Sequence, residues 1–493
     1  MEYLLSLDIG GIHEYIFGTN KLREIRGASI LLDKLNREFP LKKLNGYGME
    51  GSDWKHVMTA GGNIKILFND KTKAEDYKNY LINLFRDKAP GAKVTVIISA
   101  RNGLNEEQWL KKADRELRWA KALHKERVQI LTSSFFKSCQ ACGLYPTEEK
   151  DIRSEESEEK EIRYICKTCY QKIEQSKTYQ DIQVYKELAN HRGSLNLPDE
   201  FGDIGGASKP EGYMGFIYAD GNKMGEHIAK IKSFDELTRF SSDVHNATLK
   251  ATVSAIDKHF PGDILPLQII LAGGDDLILA LPAHKTIDVA IDFCESFNKN
   301  LKSHGITTCV GIVICHDSLP IKTVLNTAES LLKNAKAESR KKDNSTYIDF
   351  TVVTGSAIED PILKRKREME IKDTGIHYIT KRPYHLEELK ILRDIIMNLK
   401  RIDFPKNKLK LLYASLFKGH HRSIFEACYI KTRLKQEHRE LINSFQLTRF
   451  PWEEVKPNEY KTPLGDITEL YEFINIEDMV HGKTANESQN SQS

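Results

Sequence analysis

A chain of 493 residues has room for roughly two to four domains, each with its own core. Hydrophobic residues at 40% and charged residues at 29% exclude wholesale disorder, and no apolar run nears the ~18 residues of a membrane helix. With 73 Lys and Arg against 70 Asp and Glu, the net charge of +3 is too even to mark a nucleic-acid binder by itself.

The N-terminal MEYLLSLDIGG has neither a basic start nor a small-residue cleavage site. It reads as a buried strand rather than a secretory signal, which makes the cytoplasm the expected address. A strand over 2–8 leads to a helix over about 12–38, then to strands over 55–60 and 63–68 around a Gly-Gly turn. A helix over 72–87, a strand over 92–100 and a helix over 105–125 follow.

Next come two cysteine pairs, Cys139-x-x-Cys142 and Cys166-x-x-Cys169. Two such turns supply a closed tetrahedral S4 site for structural zinc, with disulfides as the alternative in an oxidising compartment. Gly143 suits the sharp turn of such a knuckle. The acid-rich stretch Glu148–Arg163 between the pairs reads as a solvated loop. The remaining cysteines, Cys294, Cys309, Cys315 and Cys428, fall in apolar patterns and read as core. The Gly- and Pro-containing stretch 191–212 reads as a linker.

From 213 the pattern of the first 132 residues returns. Strand 213–219, helices within 222–259, strands 267–272 and 276–281, helix 285–302, strand 306–315, helix 320–337 and strand 346–353 follow in order. The landmarks keep their distances: Gly61 lies 53 residues after Asp8, and Gly273 lies 53 after Asp220. Equal offsets point to a duplicated domain. Two strands flanking a Gly-Gly turn, with helices on one face, predict two ferredoxin-like α+β palms of the kind found in polymerases and nucleotide cyclases. After about residue 360 the strands stop, and HLEELKILRDIIMNLKRI and LKLLYASLF predict a helical C-terminal domain. The expected division is a first palm over 1–132, a zinc-binding and helical insert over 133–190, the linker 191–212, a second palm over 213–356, a helical domain over 357–482 and a disordered tail over 483–493.

The chemistry is expected in the second copy. Asp220 ends a strand, and Asp275 and Asp276 sit in the turn beside it. Three carboxylates at one end of a sheet suit two divalent cations that activate a 3′-hydroxyl and stabilise leaving pyrophosphate. Gly273 and Gly274 let phosphate approach the backbone, and Gly221 follows Asp220 in the same DGNKMG turn as Asn222. On the last helix, Lys333 and Lys336 lie one turn apart, with Lys336 the preferred contact to a triphosphate. In the first copy Asn63 and Ile64 replace the acids and only Asp8 remains, which predicts a catalytically dead, structural palm. Two basic stretches, Lys364–Arg367 (KRKR) and Phe417–Arg422 (FKGHHR), are candidate phosphate or RNA contacts or ordinary exposed helix.

These motifs, in the order palm, four-cysteine knuckle, palm and helical domain, resemble the large polymerase-cyclase subunit of type III CRISPR effector complexes. The resemblance spans most of the chain and rests on DIGGIHEYIFGTNKLREIRGASILLDKL, the degenerate AGGN, YADGNKMG, LAGGDD and AESLLKNAK. It implies a palm that condenses ATP into cyclic oligoadenylate second messengers. It further implies magnesium or manganese on Asp220, Asp275 and Asp276, Lys336 on the triphosphate, and Gly221, Gly273 and Gly274 along the phosphate path. Partner effector subunits and guide or target RNA are implied, and a membrane is not. Many members carry an N-terminal histidine-aspartate nuclease domain, and this chain is expected to be a form without it; the one His-Asp pair, His316-Asp317, follows a strand of the second palm. Two other functions compete: a diguanylate cyclase of the GGDEF class, disfavoured by Leu277 after the acids and by the uncharged PLQIILA upstream, and a non-catalytic scaffold for RNA and partner subunits.

Overall fold

The computed structural model describes residues 2–123, 137–153, 161–342, 344–355, 359–443, 445 and 450–476. The expected tail, 483–493, lies outside them.

The first palm runs β1 (Tyr3–Gly10), α1 (Ile12–Ile16), α2 (Leu22–Asp33), a π-helical turn (Lys34–Glu38), α3 (Phe39–Leu44), β2 (Trp54–Ala60), β3 (Asn63–Phe68), α4 (Lys71–Lys88), β4 (Lys93–Ala100) and α5 (Glu106–Leu123). Its strands are ordered β2-β3-β1-β4, with β1 antiparallel to both neighbours. The single helix expected over 12–38 is broken at Gly18-Thr19-Asn20, where three poor helix formers follow one another.

The insert contributes β5 (Glu149–Arg153), β6 (Glu161–Ile165), α6 (Lys167–Ser176) and α7 (Gln183–Arg192). The expected acidic loop is thus the two arms of a hairpin, whose connection at 154–160 lies outside the described residues. Within the stretch expected as a linker, α8 (Phe201–Gly206) buries Phe201 and Ile204 in the same core as Phe216 and Ala280.

The second palm runs β7 (Tyr213–Gly221), α9 (Met224–Ile228), α10 (Phe234–His259), β8 (Gln268–Gly273), β9 (Asp276–Pro282), α11 (Thr286–Asn300), β10 (Thr308–His316), α12 (Ile321–Lys341) and β11 (Tyr347–Val353). The C-terminal region adds α13 (Pro361–Glu368), β12 (Glu370–Lys372), β13 (Ile376–Tyr378), β14 (Tyr384–His385), α14 (Leu386–Arg401), α15 (Lys406–Ser415), α16 (His420–Thr432), α17 (Gln436–Asn443), β15 (Glu453–Lys456), β16 (Glu459–Lys461) and α18 (Leu464–Leu470). Helices dominate it, but the strands do not stop at 360: β12-β13-β16-β15 form a small sheet of their own. Strands of three or four residues are too short to print an alternation, and β13 pairs in parallel with the distant β16.

The second palm's sheet is ordered β14-β11-β10-β7-β9-β8. Its β8-β9-β7-β10 portion repeats β2-β3-β1-β4 of the first palm strand for strand, so the duplication holds at the level of topology. Both faces of this sheet are covered, and for that reason its strands read as continuous apolar runs. One face packs on α10, α11 and the C-terminal helices. The other joins Phe216, Tyr218 and Ile278 to Leu5, Leu7 and Ile66 of the first palm.

The insert docks on the first palm through α2 and α6. A Cβ on Gly27 would lie 1.6 Å from the Lys172 carbonyl oxygen, so only glycine lets the helices approach this closely. Beside it, the buried Glu24 accepts from Arg163 at 2.7 Å. Gly27→Ala is therefore expected to cost about 3 kcal/mol, read as a lower Tm in thermal denaturation; an unchanged Tm would refute this docking contact.

Two other expectations change in the folded chain. Cys294, Cys309 and Cys315 are buried, but Cys428 is exposed on the outer side of α16. In KRKR, Arg365 is buried against Asp349 at 2.7 Å and Arg367 pairs with Glu359 and Glu368, which leaves Lys364 and Lys366 as its free charges among the described residues.

Candidate active site and metal centre

Asp220 stands at the end of β7, and the backbone around it is tied down from β10. Thr308 Oγ1 donates to the Asp220 carbonyl at 3.1 Å. The backbone N–H of Asn222 donates to the Thr307 carbonyl, and its side chain to Thr307 Oγ1, both at 2.8 Å. Asn222 is thus a buried brace of the turn. Asp276 lies one step beyond the Ala219–Leu277 pair, beside Asp220 on the same face. Asp275 occupies the β8–β9 turn, where Gly274 supplies a φ of +62° and its carbonyl accepts from Thr248 of α10 at 2.7 Å. A side chain at Gly221 would press on the Cβ of Asp275 at 3.0 Å.

The Lys336 ammonium bonds the Asp220 carboxylate and the Gly221 carbonyl, the latter at 3.0 Å. Lys333 faces solvent against Glu329. Three carboxylates against one lysine leave negative charge in excess. Burial, then the charge of Asp220, pushes the Asp275 carboxyl up to about 7. Burial, then Asp275 and Asp220, pushes Asp276 well above the ordinary carboxylate range. Divalent cations would relieve this repulsion, and hard carboxylate oxygens are their proper ligands.

A cavity of about 640 Å³ opens between the palms. His13, Arg37 and Gly62 line it from the first palm, and His245, Gly273 and Asp276 from the second. The two Gly-Gly turns meet at its edge, a Cβ on Gly274 falling 3.5 Å from the Gly61 Cα. The first palm keeps part of the same arrangement of side chains. Asp8 ends its central pairing opposite Asn63 and forms an ion pair with Lys121 of α5 at 2.6 Å. Lys121 is the counterpart of Lys336, on the helix after the fourth strand of its repeat; the duplicated order of elements is the signal that could have found it.

Arg37 leaves the π-helical turn to reach Gln183 of α7 at 3.0 Å and His245 of α10 at 2.7 Å, so first palm, insert and second palm converge on one guanidinium. Burial, then Arg37, holds His245 down to about 4. A histidine with a lowered folded value gives stability that is lost as pH falls from about 6.5 towards 4. Between pH 7 and about 4.5, wild type is expected to lose about 2 kcal/mol more than His245→Gln in denaturant titrations. Parallel losses would contradict it.

The cysteine cluster forms as the spacing predicts. The four thiol sulfurs lie within 4.8 Å of one another, and Cys142 Sγ is 3.8 Å from Cys166 Sγ. That matches the ~3.8 Å edge of a tetrahedron with 2.3 Å metal–sulfur bonds. Gly143 turns the first knuckle at φ +70°. Hydrogen bonds from Cys142, Cys166 and Cys169 hold the Cys139 thiol far below its ordinary value, while the same cluster pushes Cys169 far above. Shared charge of this kind fits a soft divalent cation at the centre. Among the described residues it is the only set of three or more potential ligands so tightly gathered; the three aspartates share a site without reaching that proximity.

Residues 213–346 match the sequence family described as Cas10/Cmr2, second palm domain. The second palm is thus similar in sequence to the Cas10/Cmr2 second palm. The resemblance to the large subunit of type III effectors therefore stands on sequence in the Cas10-type palm and on fold across the chain. No curated protein matches the chain. A Csm1–Csm4 cassette in complex with cA3 superposes with a TM-score of 0.61 at 13% identity, covering 96% of this chain and 70% of that chain. The same cassette in complex with pppApA gives 0.60 at 12% identity, with 96% and 69% covered. Csm1 of T. onnurineus gives 0.56 at 14% identity, with 96% and 69% covered. Against the cassette in complex with cA4, the chain spans 63% of that chain's length at a TM-score of 0.48. At 12–14% identity the likeness is one of fold alone. Among the described residues no helix is long and apolar enough to cross a membrane.

Proposed function

We propose that the chain is a nucleotidyl cyclase of the type III CRISPR kind, condensing ATP into cyclic oligoadenylates in the cytoplasm. The observation that carries this reading is the pair of palms facing each other across one cavity, with the acidic turn in the Cas10-type palm alone. Asp220, Asp275 and Asp276 would hold two magnesium or manganese ions, which when bound activate the attacking 3′-hydroxyl and neutralise the leaving pyrophosphate. Lys336, already in reach of Asp220, offers its ammonium to the triphosphate. Gly221, Gly273 and Gly274 leave the phosphate path free of Cβ atoms. The first palm, with Asp8, Lys121 and no acidic turn, seats a nucleotide rather than activating one. The cysteine cluster would hold a structural zinc, since four sulfur ligands leave no position for substrate.

The neighbouring structures support the reading, since relatives of this fold are seen with cA3, pppApA and AMPPNP. A Csm4-like subunit and guide or target RNA are the proposed partners. The test is mass spectrometry of products from the purified chain with all four nucleoside triphosphates and Mn²⁺, with and without target RNA and partner subunits. Cyclic oligoadenylates are the expected products. Cyclic diguanylate would replace this reading with the GGDEF one, and no product under any condition would leave the scaffold.

A further inference from the structure

We propose that the outer face of the helix pair α15–α16 is a binding site for single-stranded nucleic acid. Residues 406–435 hold eight lysines and arginines against one acid, Glu426. That is +7 in a chain of net +3, so the remainder of the molecule carries −4. The excess is local, and it is a field for polyanions. Glu426 and Glu472 occupy three of these cations, Lys418, Arg422 and Lys406. Lys408, Lys410 and Lys435 have no ion-pair partner among the described residues.

Aromatic faces are interleaved with the charge. Phe425 is 70% exposed, Tyr429 47% and Phe417 46%. Phe425 and Tyr429 lie one turn apart on α16, about 6 Å along its axis. The Arg433 guanidinium stacks on the Tyr429 ring at 3.9 Å, and Arg422 precedes Phe425 by one turn. The stripe therefore reads cation, aromatic, aromatic, cation. Acidic protein surfaces would satisfy the charge but leave the exposed Phe425 ring and the open part of Tyr429 unused. Unstacked bases use both, with phosphates on the cations and bases on the rings. A duplex keeps its base faces inside and cannot reach them, which selects single strands. This inference does not depend on the nucleotide chemistry of the palms.

The test is fluorescence anisotropy of the full chain with labelled 20-nucleotide single-stranded RNA, single-stranded DNA and duplex across a salt series, alongside a labelled oligoglutamate. Single strands are expected to bind more tightly than duplex, with affinity falling as salt rises; the RNA and DNA arms show which strand is preferred. Phe425→Ala/Tyr429→Ala is expected to weaken binding at least about tenfold with the salt slope retained. Lys408→Gln/Lys410→Gln/Lys435→Gln is expected to flatten the slope by about 2. All five positions are on the surface, and circular dichroism checks that the variants keep the fold. No saturable binding, both variants binding as wild type, or oligoglutamate binding as tightly as the strands would overturn the proposal, the last pointing to an acidic protein partner.

Discussion

Asp275→Asn/Asp276→Asn is expected to lower product formation about a thousandfold, the kinetic equivalent of ~4 kcal/mol, while the protein stays folded. An amide still fits the turn but neither neutralises a cation nor supplies its hard anionic ligands. The same change is expected to raise stability. Asp275 has its folded value pushed up to about 7 from an ordinary 3.8, so its charged form opposes folding. The penalty is absent well below pH 3.8, where folded and unfolded carboxyls are both protonated; it grows as pH rises through that value and levels off above about 7. The site keeps partial access to solvent, and screening reduces the gain to about 1–2 kcal/mol at pH 8. Mass spectrometry of products and denaturant titration at pH 4 and pH 8 read both effects. A variant that loses activity and stability together would show that the aspartates serve the fold instead.

Cys166→Ser is expected to abolish a one-to-one zinc content in elemental analysis and to lower Tm by about 10 °C. Structural zinc sites supply folding free energy directly, and about 4 kcal/mol in a region of this size corresponds to such a shift. The damage should extend to the cleft. The α6 helix, which begins between Cys166 and Cys169, sends Lys172 beneath the first palm, where Nζ donates to the Tyr15 carbonyl at 2.5 Å and sits 4.1 Å from the Tyr15 ring. Tyr15 belongs to α1, whose His13 lines the cavity. Weaker binding of a fluorescent ATP analogue is therefore expected in Cys166→Ser, and unchanged binding in Cys428→Ser, which alters the exposed thiol. A zinc-free variant with wild-type Tm and nucleotide affinity would reduce the cluster to an ornament of the surface.

Local signals carried the sequence reading wherever chemistry or periodicity is short-range. The cysteine spacing led directly to a cluster of four sulfurs, since two knuckles close a tetrahedron almost regardless of what lies between them. The strands of both palms were legible because each is bounded by Gly, Pro or Asp, and because Asp8–Gly61 and Asp220–Gly273 keep equal offsets. The acidic turn was legible because three carboxylates at strand ends have few uses other than cations. Where local preference misled, a long-range contact had decided. The β12-β13-β16-β15 sheet is made of strands too short to show a pattern, and parallel pairing of β13 with β16 is visible only once the chain has folded back. Cys428 sits in a helical pattern indistinguishable from that of a core helix, and only the placement of α16 at the surface exposes it.

The sequence by itself determined the duplication, the cysteine cluster and the palm that carries acids, because each depends on residues that are neighbours along the chain or repeats of one another. Tertiary structure alone decided that Lys336 bonds Asp220 and the Gly221 carbonyl, that Lys121 answers it in the first palm, and that Arg37, Gln183 and His245 converge beside Gly273. Those are contacts between segments up to two hundred residues apart. They form because two sheets bury their apolar faces against one another, and no spacing along the chain records which side chains that burial brings together.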